Sequence, residues 1–149
     1  MPHAEKKQND PFYTAYFGRF SSLLSWESLD AFWRVVRERA DAGWYLYAIG
    51  MPPPTRPSTR AETEKFIAQV DALLHRDHHE DYCGIVYADD KEDPSFIKIF
   101  DPHHLGVSCG FSHNPPLPGW IMTRMPPNLL EDKRKLPENR RRWWDALWE

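Results

Sequence analysis

The chain has 149 residues, of which 41% are hydrophobic and 14% aromatic, a composition that allows a buried core and excludes wholesale disorder. Its net charge of −3 disfavours nucleic-acid binding, which depends on many lysines and arginines to neutralise phosphates. No apolar run is long enough for a membrane span, the first residues do not resemble a signal peptide, and two cysteines are too few for a disulfide scaffold. We therefore expect a cytoplasmic protein with free thiols.

The N-terminal third of the chain predicts a flexible segment, a strand and a helix. Residues 1–10 are polar, so we expect them to be flexible ahead of a single α+β domain over residues 11–149. The aromatic content of residues 12–20 favours a strand. Ser25 is a good N-cap, and apolar residues then recur at three- and four-residue steps until Gly43. This spacing predicts a helix near residues 26–41.

The middle of the chain alternates between strand and helix patterns. Residues 44–49 form a continuous apolar run, which predicts a buried strand before a proline-rich loop. Thr59 and Glu62 match a capping box, which predicts a second helix over about residues 60–76. Residues 82–88 and 95–100 read as two strands joined by an acidic turn, and therefore as a β-hairpin.

The last part of the chain predicts a short strand at residues 120–124 and a final helix that has Pro137 in its first turn. The whole order of elements indicates an α+β fold, with a mixed or antiparallel sheet of about four to five strands and two to three helices packed on it.

The loop over residues 101–114 holds the densest group of reactive side chains and follows a predicted strand directly. We consider Cys109 as a nucleophile, a neighbouring histidine as its base and Asp101 as the group that orients the base. An ordinary connector is the alternative, because Asp, Gly, Ser and Pro also serve turns. The candidate catalytic residues are Asp101, His103, His104, Cys109 and His113, and the candidate anion-binding residues are Gly106, Ser108 and Gly110.

Two further patterns suggest chemistry but lack the context that it needs. Residues 106–110 fit the G-x-S-x-G pattern of a nucleophile elbow, yet prolines follow where that motif requires a helix. His75 and His79 are four residues apart at a predicted helix end, but no paired metal-binding signature accompanies them. We therefore predict neither a metal nor another cofactor.

The C-terminal segment combines tryptophans with arginines, the residues most enriched at the energetic centres of protein interfaces. Its candidate binding residues are Arg140, Arg141, Trp143, Trp144 and Trp148. They could bind another protein or a second copy of the chain, or the helix could instead pack on its own sheet. Residues 133–142 carry six basic side chains and one acid, whereas residues 77–93 carry seven acids and one lysine, so we expect these segments to pair.

These observations favour a small accessory or regulatory protein that acts by protein–protein binding through an aromatic and basic surface. The alternative is an enzyme or a small-anion-binding protein that uses the loop over residues 101–114.

Overall fold

The computed structural model describes residues 10–81, 83–103, 117–130 and 137–149. Within these ranges the chain forms four helices and a five-stranded antiparallel sheet, which confirms the predicted α+β class. The helices are α1 (Pro11–Tyr16), α2 (Trp26–Glu38), α3 (Arg60–Asp77) and α4 (Glu138–Leu147), and the strands are β1 (Ser21–Ser22), β2 (Tyr45–Ala48), β3 (Val86–Ala88), β4 (Phe96–Ile99) and β5 (Trp120–Thr123). No helix in these ranges is both long enough and apolar enough to cross a bilayer.

The strands lie in the order β1-β3-β4-β5-β2, and each neighbouring pair is antiparallel. The predicted hairpin is confirmed, since Val86 of β3 pairs with Ile99 of β4. Its acidic turn is held by Asp89, whose carboxylate accepts the backbone N–H groups of Ser95 and Phe96. The two hairpin strands therefore lie inside the sheet. β1 forms one edge beside β3, and β5 lies between β4 and β2, which forms the other edge.

The two faces of the sheet bury two separate apolar clusters, because successive side chains of a strand point to opposite faces. Leu46 and Ala48 of β2 belong to the larger cluster, which also includes apolar residues of α2, α3 and α4. Tyr47 of the same strand belongs to the smaller cluster, together with Phe12 and Tyr16 of α1. Three helices thus cover one face, and α1 covers part of the other.

The strand expected within residues 12–20 is wrong, because residues 11–16 form helix α1. Asp10 is the N-cap and accepts the N–H of Phe12 at 2.8 Å, while Pro11 occupies the first turn, where its missing N–H costs nothing. Phe12 then stacks on Phe96, with ring centroids 5.6 Å apart. This extra helix explains why the described chain has four helices rather than two to three.

The starts of the longer helices agree with the sequence, whereas one of the ends does not. Ser25 caps α2 by accepting the N–H of Ser28, and Thr59 and Glu62 form the complete capping box of α3. Helix α2 ends at Glu38, before the predicted boundary, because tighter three-residue turns follow it. Gly43 lies beyond these turns with φ +89°, a conformation that favours glycine.

Candidate functional site

The structure describes only part of the reactive loop. Asp101 and His103 lie within the described residues, at the end of the hairpin. His104, Gly106, Ser108, Cys109, Gly110 and His113 lie outside the described residues, so the nucleophile and the anion site remain predictions.

Asp101 and Arg140 form a buried ion pair that joins the hairpin to α4. Only 3% of Asp101 and 2% of Arg140 is exposed to solvent. The Nε and Nη2 atoms of Arg140 donate to the two carboxylate oxygens of Asp101 at 2.9 and 3.0 Å. Nη2 also donates to Asp77 at the end of α3, at 2.8 Å. One guanidinium thus ties three elements together.

This network gives Asp101 and Arg140 roles that the sequence does not predict. Asp101 was expected to orient a catalytic histidine ring, but its carboxylate accepts Arg140 and the backbone N–H of His103. Arg140 was expected on an exposed binding surface, but it lies inside the protein. Its pair with Asp77 does join the basic and acidic segments, as their opposite charges indicate.

Asp77 and Arg140 each shift the pKa of the other toward the charged form. The pKa of Asp77 is held well below its usual range by hydrogen bonds from Arg76 and from Arg140, which outweigh the opposing effect of burial. Burial alone would lower the pKa of Arg140, but its hydrogen bonds to Asp101 and Asp77 outweigh this effect and raise the pKa. The ring of His103 lies at the exposed edge, with Nε2 3.5 Å from Asp77. Asp77 and Arg140 therefore both stay charged near neutral pH.

The tryptophans of α4 divide between the core and the surface. Trp143 and Trp144 are half-buried and pack edge-on against Phe66 of α3, at 6.4 and 6.0 Å between ring centroids. Trp143 also contacts Trp120 of β5 at 5.3 Å. Trp148 is 37% exposed, and its ring contacts that of Trp144 with the centroids 5.3 Å apart. The docked helix therefore leaves one indole at the surface.

A groove of about 330 Å³ opens between α4 and the proline-rich loop that follows β2. We call it the tryptophan groove. The loop is anchored by the N–H of Ser58, which donates to the carbonyl of Trp44 at 2.7 Å. The groove is lined by Leu46, Pro54, Arg56, Pro57, Trp144 and Trp148, among others.

The sequence indicated one wall of this groove but not the other. The tryptophans stand out by composition, whereas the prolines of residues 51–57 predict only an ordered loop. Nearly ninety residues separate the two walls along the chain, so only the packing of α4 on α3 brings them together. The proline cluster next to the buried strand was the sequence feature that could have indicated this second wall.

Two buried or half-buried reactive groups lie away from the groove. Cys83 is fully buried, and burial raises the pKa of its thiol. Lys98 lies on the α1 side of the sheet, and burial lowers the pKa of its amine to about 8. Its Nζ donates to the carbonyl of Tyr16 and lies 4.0 Å from the ring centroids of Tyr16 and Phe20. These contacts fasten α1 to the sheet.

No protein-family model, curated protein or solved structure matches this chain.

Proposed function

We propose that this protein is a small accessory or regulatory protein that binds an extended, proline-containing segment of a partner protein in the tryptophan groove. The exposed indole of Trp148, facing a proline-lined loop across a groove of about 330 Å³, is the observation that carries this proposal. A cytoplasmic location is part of the proposal and is consistent with a buried, unpaired thiol at Cys83.

The shape and chemistry of the groove favour this class of ligand. Polyproline segments bind in grooves lined by aromatic rings, because their helix is preformed and loses little entropy on binding. Trp144 and Trp148 meet edge to face at an interplanar angle of 80°, so their rings form two adjoining surfaces. The proline rings of a ligand would pack on these surfaces, opposite the wall that Pro54 and Pro57 line.

The rim of the groove supplies the basic part of the predicted surface. The Arg56 side chain is 74% exposed and lies 3.9 Å from Glu62, a separation at which water screens the pair strongly. Arg141 is an exposed residue of α4, the helix that also carries Trp144 of the groove wall. These arginines favour a ligand that carries an acidic residue beside its prolines.

The proposal is tested by fluorescence anisotropy with a labelled synthetic peptide of repeated Pro-Pro-Leu-Pro units flanked by glutamates. We expect the wild-type protein to bind this peptide and Trp148→Ala to bind it at least about tenfold more weakly, because a central indole commonly contributes this much at an interface. A peptide with alanines in place of the prolines should not bind.

Phe17→Ala is the matched control, since Phe17 is 77% exposed and belongs to the α1 side of the sheet. Its loss should leave the affinity unchanged, and both variants should keep the thermal stability of the wild type. Absence of binding to the wild type, or equal weakening by both substitutions, would contradict the proposal. A dimer that Trp148→Ala dissociates in light scattering would assign the groove to a second copy instead.

A further inference from the structure

Three potential metal ligands meet between α2 and α3. They are Asp30 of α2 and Asp71 and His75 of α3, and one ligand atom from each lies within 4.8 Å of the others. Asp71 and His75 are one helical turn apart, so they share a face of α3. The cluster is therefore built from two elements that the core already holds in contact.

The separation of two of these atoms already suits a bound ion. Zinc binds nitrogen and oxygen ligands at about 2.0–2.2 Å, so neighbouring ligand atoms of a tetrahedral site lie about 3.3–3.6 Å apart. Nε2 of His75 lies 3.5 Å from Oδ1 of Asp71. The ligand atom of Asp30 lies within 4.8 Å of the other two, and Asp30 and His75 are both exposed, so their side chains have room to adjust.

The surrounding tryptophans fix the orientation of the two closer ligands. Nε1 of Trp33 donates to Oδ1 of Asp71 at 3.1 Å. The ring of Trp26 stacks on His75 at 4.2 Å between centroids, and Nε1 of Trp26 is itself held by the carbonyl of Glu80. Partners of this kind, which orient the ligands themselves, are a regular feature of protein metal sites.

We propose that Asp30, Asp71 and His75 bind one divalent transition-metal ion of the zinc class. An imidazole with two carboxylates suits such an ion, and three protein ligands leave a fourth position for water or an anion. The ion would join α2 to α3. This site differs from the pairing of His75 with His79 considered from the sequence, because His79 is not in the cluster.

The test is a calorimetric titration of the chelator-treated full chain with zinc sulfate, with cobalt absorption as a report on geometry. We expect one high-affinity equivalent in the wild type, and its loss in His75→Ala and Asp71→Asn. Trp33→Phe replaces the indole by a smaller aromatic ring and removes the donor to Asp71, so it should weaken binding by roughly 10- to 100-fold. Zinc should raise the unfolding temperature of the wild type but not of His75→Ala, because the ion stabilises only a folded state that can bind it.

His79→Ala is the matched control, since it removes an exposed histidine from the same region and should retain full affinity. Asp30→Asn alters an exposed residue without disturbing the core and should weaken binding at least tenfold. The proposal is overturned if the wild type binds no stoichiometric zinc, if His75→Ala binds as tightly as the wild type, or if Asp30→Asn has no effect. A simple His75–Asp71 ion pair would give the first of these results.

Discussion

At the scale of single residues, Arg140 links the polar chemistry of the chain to its packing. Its guanidinium donates hydrogen bonds to the carboxylates of both Asp101 and Asp77, polar groups that water reaches poorly and that need such partners. A buried ion pair gains little net stability over a well-packed apolar group, but removing one partner leaves an uncompensated charge. The bidentate geometry of the guanidinium also fixes the position of α4 more narrowly than apolar packing alone.

Arg140→Ala should therefore destabilise the protein by about 3–5 kcal/mol, the usual cost of breaking a buried pair. Chemical denaturation measures this loss. Its control is Arg141→Ala, which alters an exposed arginine of the same helix and should change the free energy of unfolding by less than about 0.5 kcal/mol. Equal effects of the two substitutions would show that Arg140 is not buried as described.

The sequence predicted which residue types matter here but not how they pair. Asp101 stood out because it follows a strand, and Arg140 stood out within a basic run. Thirty-nine positions separate them, and no local pattern indicates that the end of the hairpin lies under the first turn of the last helix. The sequence does not show whether a charged residue at the start of a helix is exposed or buried, because this depends on a partner that is distant along the chain.

At the scale of elements, strong local signals decided which predictions were confirmed. Helix α3 has a capping box and a regular apolar stripe, and its observed bounds lie within one residue of the predicted ones. The short segment of α1 has aromatic residues that favour strands, but Asp10 and Pro11 begin a helix and tertiary packing stabilises it. Intrinsic preference is weakest where an element is short.

The capping box makes the start of α3 directly testable. Thr59→Ala removes the hydroxyl that accepts the N–H of Glu62, so we expect a loss of about 1 kcal/mol in the free energy of unfolding. Thr59→Ser keeps this acceptor and should remain close to the wild type. Thermal or urea unfolding of the two variants gives the comparison, and equal stability would mean that the cap does not hold the helix.

At the scale of the whole molecule, the sheet separates two groups of aromatic residues, one on each face. On the α1 face, rings pack around Lys98, whereas on the other face the indoles of Trp33, Trp44 and Trp120 are almost fully buried. Helix α4 adds its tryptophans to the second face and brings Trp148 to the edge of the proline loop. The α+β class could be predicted from the order of elements, but the groove could not, because it exists only after α4 has docked.

The most direct test of this account is hydroxyl-radical footprinting of the seven tryptophans and of Phe17, read out by mass spectrometry with and without the proline-rich peptide. We predict that Trp148 is oxidised fastest, that Trp33, Trp44 and Trp120 are protected, and that the peptide slows oxidation at Trp148 but not at Phe17. Protection of Trp148 equal to that of Trp44 in the free protein, or no change at Trp148 on saturation with peptide, would contradict the account.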